Sequence, residues 1–222
     1  MDSDNIKHYD RYKRSSYESY NFKMPEIYDN SFWMKFFKSH EWDDEVISQL
    51  GEPLHSIKVL DVGCATGRLL NRMANAGVKE LSGADLAAKI LDVAREKLSS
   101  INVEVDLKVA DAEEKLPWSD NCFDFVTLTG VFHHFYKPHK SLQEICRVLK
   151  TDGRLILMEP WFPPVLRQLS NVYLLFFNHD GDCKFHSPNG LIKLIETSNL
   201  SIHIFKRIAR FSFMIVAQKD KP

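Results

Sequence analysis

The sequence predicts an α/β fold on a mostly parallel sheet, and three observations carry that expectation. From residue 57 onward, short β-rich apolar runs alternate with longer stretches of helical spacing. The first of those runs leads straight into a loop of small residues and then a helix, the usual strand–loop–helix unit of parallel sheets. The chain also has 222 residues, 44% of them hydrophobic, which is enough for one sizeable core and too few for two large domains.

The elements follow in order. Ile57 to Val62 reads as the first strand, then a helix from about Arg68 to Asn75, ended by Ala76-Gly77. Leu81 to Ala84 is the second strand, followed by a helix over Ala87 to Leu98 with an apolar face at Ile90, Leu91, Ala94 and Leu98. Val103 to Val109 and Phe123 to Thr129 are the third and fourth strands. A helix from about His139 to Leu149 comes next, with Leu142, Ile145, Cys146 and Leu149 on one face. Asp152-Gly153 is expected to turn the chain into a fifth strand, Leu155 to Met158, which Pro160 stops. Leu191 to Thr197 is a helix. Ser201 to Lys206 and Phe211 to Gln218 then form an antiparallel hairpin across a connection at Arg207 to Arg210.

The expected organisation is a single domain over 1–222: a helical extension (1–50), a ligand-binding core (51–159), an insertion (160–186), and a closing helix and hairpin (187–222). The extension and the stretch Trp161 to His186 fall outside the strand–helix rhythm and are rich in aromatics, eleven of them within the first 42 residues. They either cap the sheet edge and wall an apolar pocket or simply pack their rings on the main core.

Composition narrows the function. Lys plus Arg number 29 and Asp plus Glu 30, so a net charge of -1 offers no field for a polyanion, and a nucleic-acid partner is not expected. No apolar stretch approaches the roughly 20 residues of a membrane-spanning helix. The opening Met1-Asp2-Ser3-Asp4-Asn5 is polar and acidic, unlike a signal or transit peptide, so a cytoplasmic location is expected. Cys64, Cys122, Cys146 and Cys183 show neither disulfide nor zinc-ligand spacing.

The main constellation is Val59-Leu60-Asp61-Val62-Gly63-Cys64-Ala65-Thr66-Gly67, where small residues let a ligand approach the backbone. Asp85 lies 22 positions after Gly63, at the end of the second strand, where a carboxylate can accept from both hydroxyls of a ribose. Asp111 follows the third strand. Asp61, Asp85 and Asp111 would therefore gather at the carboxyl edge of one sheet. The loop has neither the Gly-x-Gly-x-x-Gly spacing of a dinucleotide site nor a Gly-Lys-Ser/Thr phosphate loop. Carboxylates suit a nucleoside carrying ammonium, sulfonium and ribose hydroxyls but no phosphate. S-adenosylmethionine is such a nucleoside.

With these motifs the chain resembles the class I S-adenosylmethionine-dependent methyltransferases, in particular the small-molecule group similar to the ubiquinone and menaquinone biosynthesis enzymes. The resemblance covers about residues 57 to 159. It rests on the Gly63 loop and Gly83-Ala84-Asp85-Leu86, on Asp111 with Leu116 to Asp124, on Val131-Phe132-His133-His134, and on Leu149 to Leu155. It implies a Rossmann-like seven-stranded sheet of order 3-2-1-4-5-7-6 with the last strand antiparallel. The implied cofactor is S-adenosyl-L-methionine, with S-adenosyl-L-homocysteine as product, and the acceptor a small, partly apolar molecule. The loop residues Gly63, Cys64, Ala65 and Gly67 would hold the methionine part, Asp85 the ribose, Asp111 and Ala112 the adenine edge and Leu86 its face. Asp61, Thr129 and Gly130 complete the expected cofactor set. Ala65 and Thr151-Asp152 depart from the group's usual Gly and Pro-Gly.

Methyl transfer needs in-line attack on the sulfonium carbon, so positioning supplies much of the catalysis and a base is needed only when the nucleophile carries a proton. His133, His134 and Glu159 are the candidates, since they follow the fourth strand and end the fifth. Tyr9, Tyr12, Tyr17 and Tyr20 could close over the cofactor with their faces toward the cation. His179-Asp180-Gly181-Asp182-Cys183 and His186 include metal-ligand types but in no recognised spacing, and no metal is expected. Lys206, Arg207 and Arg210 read as a solvated basic turn. Two other readings of the same crevice are a non-catalytic binder of this cofactor and a nicotinamide-dependent oxidoreductase.

Overall fold

The computed structural model describes residues 3–177 and 180–221. Helix α1 (Ser3–Glu18) runs into a π-helical turn, Ser19–Lys23. A short 3-10 turn, Tyr28–Asn30, then leads to α2 (Phe32–Phe36) and α3 (Ser39–Ser48). The core follows as β1 (Lys58–Val62), α4 (Arg68–Ala76), β2 (Glu80–Asp85), α5 (Ala88–Leu98), β3 (Val105–Val109), β4 (Phe123–Thr129), α6 (Pro138–Val148) and β5 (Leu149–Pro160). Helices α7 (Pro164–Phe176) and α8 (Pro188–Glu196) precede β6 (Leu200–Ala209) and β7 (Ser212–Lys219).

The seven strands form one sheet of order β3-β2-β1-β4-β5-β7-β6, the order that the resemblance implied. Pairs from β3 through β5 are parallel, and β7 is antiparallel to both its neighbours. Strand alternation divides the core between two faces. Leu155, Leu157, Phe213 and Ile215 join a cluster with Leu142 and Ile145 of α6 and Leu191 and Ile195 of α8. Their neighbours Ile156, Met158, Met214 and Val216 join the other cluster, with Trp42 and Val46 of α3, Leu70 and Met73 of α4 and Leu91 of α5. The central strands are thus apolar on both faces, as helix-covered parallel strands must be.

Local signals fix the helix ends. Gly77 takes the left-handed conformation that ends α4 (φ 115°), Pro138 opens α6, and the Ser187 side chain accepts from Gly190 N at the start of α8. The N-cap residue of α5, Ala87, makes no side-chain cap hydrogen bond. Asn21 Oδ1, from the π-helical turn, accepts from Lys89 N at 3.0 Å and supplies one. The extension is therefore bound into the core by a backbone donor that would otherwise be orphaned.

Several expectations are corrected. β3 begins at Val105, not Val103. The Asp152-Gly153 turn does not precede the fifth strand but lies inside β5, where Asp152 takes φ 64° and pairing skips from Phe123↔Leu149 to Phe125↔Arg154. The turn chemistry is real, but it makes a bulge instead of a boundary. Pro160 is the last residue of the strand, paired with Ser212, a position where a missing N–H is tolerated. The hairpin is also tighter than expected, because β6 extends to Ala209 and leaves only Arg210 and Phe211 between the strands. Arg207 is held there with its guanidinium 3.7 Å from the Trp161 ring centre, and Lys206 pairs with Glu45 at 2.5 Å, so the basic turn is engaged with its surroundings.

The extension also carries a buried ion pair. Asp43 of α3 is fully buried and takes the Arg68 guanidinium at the start of α4, which also donates to Ser39 O at 3.1 Å. Removing the acid leaves a mostly buried cation without its partner. Asp43→Ala is expected to destabilise the fold by about 1–3 kcal/mol, read from urea unfolding midpoints.

Candidate functional site

Parallel register places the ends of β1, β2 and β4 and the start of the segment after β3 along one edge. The loop after β1 is held there by two donors to Ala84 O, from Gly63 N at 2.7 Å and Cys64 N at 3.0 Å. Gly63 has φ 74°, and a Cβ on it would lie 2.4 Å from Val131 Cγ2, so glycine is required. Ala65 also adopts a left-handed conformation (φ 45°), which is unfavourable for a residue with a Cβ. Its methyl packs with Ala87, Ile90, Tyr20 and Tyr28. Packing thus accompanies the departure from glycine.

Asp85 binds the loop to the next helix: Oδ2 accepts from Ala65 N and Oδ1 from Ala87 N, both at 3.0 Å. Burial raises its carboxyl to about 6, although hydrogen bonds from Ala87, Ala65 and Leu86 pull the other way. Asp61 lies deeper. Burial lifts it to about 7 against the opposing bond from Thr127 Oγ1, 2.7 Å from Oδ1, with the charge of Asp85 adding to the rise. Asp111 sits at the far side, where Lys13 of α1 pairs with it at 2.6 Å and with Glu113 at 2.5 Å.

These residues border a crevice of about 80 Å³, lined by Gly63, Ala65, Asp85, Leu86, Asp111, Ala112 and Gly130 of the expected cofactor set. Four members of that set lie elsewhere. Asp61 is buried beneath the crevice wall, Cys64 packs its sulfur into the core near Gly83, Gly67 backs onto Leu98 and Ala94, and Thr129 faces a second cavity. Tyr12 and Tyr20 line the crevice, whereas Tyr17 is about half exposed and is not among the lining residues. The side chain of Tyr9, and His179, lie outside the described residues. Sequence reasoning missed Lys13, Ser16, Tyr28 and Tyr136, which reach the crevice from α1, from the 3-10 turn and from beyond β4. Of these, only Tyr28 is one of the aromatics of the extension that the sequence singled out.

The second cavity, about 860 Å³, is walled by Phe32, Trp33 and Phe36 of α2 and by Leu166, Leu169 and Tyr173 of α7. It falls within the ~300–1,000 Å³ range of ligand sites, and the crevice falls well below it. Tyr20, Tyr28, Gly130 and His134 border both spaces and form the partition between them.

The three expected catalytic residues cluster beside this partition: His134 is part of it, His133 lines the chamber, and Glu159 lies behind His133 and lines neither space. Glu159 is buried and bonds twice to the turn after β4, accepting from Phe132 N at 2.8 Å and facing His133 Nδ1 at 2.9 Å. Burial alone would lower the His133 pKa. Glu159, as charge and as acceptor, with Asp182 beyond it, instead raises it to about 8. His134 is lowered by burial and by His133, and its Nε2 lies 3.4 Å from the Tyr20 hydroxyl. The insertion is bound to the same turn by Cys183 N and Lys184 N, at 2.8 and 3.0 Å from His133 O. This brings Asp182 beside both rings. His186 stacks edge-on against Phe132, with its pKa pushed down to about 4 by burial.

Residues 60–157 match a family model described as a methyltransferase domain. The chain is 35% identical over 126 residues to the ubiquinone/menaquinone biosynthesis C-methyltransferase UbiE of Pectobacterium carotovorum, covering 55% of this chain and 49% of that one. It is 37% identical over 121 residues to the demethylmenaquinone methyltransferase of Thermus thermophilus, covering 54% of each. The chain thus spans about half the length of these curated relatives. In fold it is similar to the crystal structure of the YcgJ protein of Bacillus subtilis, with a TM-score of 0.70, 22% identity and coverage of 82% of this chain and all of that one. The chain is therefore similar to class I S-adenosylmethionine-dependent methyltransferases of the ubiquinone and menaquinone type. Among the described residues no helix is long and apolar enough to cross a membrane.

The raised carboxyls fix a pH dependence. A carboxyl whose folded pKa exceeds its unfolded value stabilises the fold fully below the unfolded pKa, near 4, and loses that contribution as pH rises through the folded one. Asp61 should therefore cost stability between about pH 4 and pH 7. Asp61→Asn is expected to unfold at higher urea than the parent at pH 7.5, with the advantage shrinking or reversing at pH 4.5.

Proposed function

We propose that this chain is an S-adenosylmethionine-dependent methyltransferase that transfers a methyl group to a small, largely apolar acceptor in the cytosol. One observation carries the reading: a carboxylate-lined crevice at the strand ends shares Tyr20, Tyr28, Gly130 and His134 with a large aromatic chamber. A sulfonium seated in the crevice would face the chamber across that partition. In-line transfer needs this juxtaposition of donor and acceptor.

Asp85 would accept from the ribose hydroxyls while it holds the loop. The loop around Gly63 and Ala65 would take the methionine part, and Asp111 and Ala112 the adenine edge against Leu86. Asp61, buried and outside the crevice lining, would add negative charge behind the loop that favours a cationic cofactor. Entry requires α1 to shift, since Lys13 occupies Asp111 and about 80 Å³ is too little space for a nucleoside. Tyr20 and Tyr28 line both spaces and would stand beside a cation held at the partition.

The acceptor would enter between α2 and α7, with its apolar body against Phe32, Trp33, Leu166 and Leu169 and its reacting head toward the histidines. A chamber with so few charged walls, in a chain of net charge -1, disfavours nucleic acid. Where the nucleophile carries a proton, His133 Nε2 would receive it once the ring is neutral, which its raised pKa of about 8 sets at mildly alkaline pH. Glu159 fixes the tautomer through Nδ1 and stabilises the resulting imidazolium, and His134 orients Tyr20 at the partition. The loop's lack of a pyrophosphate-binding pattern disfavours nicotinamide chemistry.

Formation of S-adenosylhomocysteine from labelled S-adenosylmethionine with a panel of apolar phenols, enols and amines tests the activity. Binding without turnover across the panel would favour the non-catalytic reading. Asp85→Asn should weaken S-adenosylmethionine binding at least tenfold by loss of charge-assisted bonds. Unchanged affinity by calorimetry would remove Asp85 from the site. Because the cofactor's positive charge favours ionised Asp61 and Asp85, binding near pH 6 should release protons, and far fewer above pH 8. Calorimetry in two buffers of different ionisation enthalpy measures that release.

A further inference from the structure

We propose that His133 Nε2, His134 Nδ1 and Asp182 bind a divalent transition-metal ion where the crevice meets the apolar chamber. The three residues come from two separate parts of the chain, a turn after β4 and the insertion after β5, and each offers one ligand atom to a group lying within 4.8 Å of one another. Asp182 Oδ1 stands 3.4 Å from His134 Nδ1 and 3.7 Å from His133 Nε2. Those separations are long for N–H···O hydrogen bonds. An ion about 2.0–2.2 Å from each donor in tetrahedral or octahedral geometry would hold its ligands roughly 3–3.5 Å apart. Small side-chain adjustments would close the set.

The surroundings fit as well as the distances. His133 Nδ1 faces the Glu159 carboxylate at 2.9 Å, so one ring proton belongs on that side and Nε2, 3.7 Å from Asp182 Oδ1, is the nitrogen left to take an ion in exchange for its own proton. Carboxylate behind imidazole is the arrangement that orients histidine ligands in metal sites. His134 Nδ1 is buried 3.4 Å from Asp182 Oδ1, with the Gly181 backbone also bonded to the ring, and its other nitrogen faces the Tyr20 hydroxyl. The two backbone bonds from Cys183 and Lys184 to His133 O fix the spacing between the turn and Asp182. Two imidazoles and one carboxylate suit zinc, iron, cobalt or nickel, and not calcium or magnesium, which prefer oxygen ligands. Three protein donors leave further coordination positions open. His133, His134 and Asp182 all line the acceptor chamber.

The proposal goes beyond methyl transfer and does not depend on it. It changes one step if both hold, because ion and proton compete for the same lone pair of His133. With the ion bound, an acceptor oxygen would be polarised by the metal and not deprotonated by the ring.

The test uses the full chain stripped with a chelator and titrated with Co²⁺, followed by its visible d–d absorption, and with Zn²⁺ by calorimetry, in the absence of cofactor and acceptor. One equivalent is expected to bind. His134→Ala and Asp182→Asn should each weaken binding at least tenfold, and Glu159→Gln by about 10–100-fold with the cobalt band retained. Circular dichroism checks that each variant is folded, and Asp182→Asn preserves side-chain size should His134→Ala not be. Absence of a one-equivalent site in the parent, or binding unchanged in the folded variants of His134 and Asp182, overturns the proposal. Since no cofactor is present, failure here leaves the methyltransferase reading standing, and the converse also holds.

Discussion

The site depends on the parallel pairing of β2, β1, β4 and β5. Parallel strands end on the same edge, so every loop that follows them emerges toward one crevice. Val62 lies beside Ala84 on one side and Leu128 on the other, and Thr129 lies beside Met158. Gly63, Asp85, Gly130 and Glu159 are consequently neighbours although almost a hundred residues of chain separate the first from the last. A slip of one residue in any of these pairs would turn the terminal side chains to the opposite face.

Burial then gives those side chains their chemistry. Among the described residues, Asp61 is buried and bonded by Thr127, and Asp85, at the crevice, is bonded by the loop amides. A carboxylate in such a place favours a ligand that brings positive charge. Glu159 differs, because the His133 ring and the Phe132 amide satisfy it, and it orders the turn instead of waiting for a ligand.

The extension and the insertion build the walls that the sheet lacks. Asn21 caps α5, Asp29 takes Thr66 Oγ1 at 2.7 Å and also the Lys97 ammonium, and Asp43 takes Arg68. These polar attachments seat residues 19–48 over the crevice edge, so that Tyr20, Tyr28 and the α2 aromatics face inward to the cavities. Across the chamber, α7 buries only Leu174 and leaves Leu169, Leu175 and Phe176 exposed. It packs less on protein than the core helices; Leu169 lines the chamber, whereas Leu175 and Phe176 do not.

The sequence by itself determined the strand–helix order, the apolar central strands and the Gly63 loop followed by Asp85 and Asp111. These are local: hydrophobic period, turn chemistry and glycine conformation act within a few residues of the chain. It also placed His133, His134 and Glu159 near one edge, because each borders a strand end. Tertiary structure alone decided that Cys64 and Gly67 turn away from the crevice, that Lys13 reaches Asp111, and that Asp182 comes to rest beside two histidines about fifty residues earlier in the chain. Such meetings depend on how an irregular segment packs over the sheet edge, where no short period in the sequence records which side chain will face which.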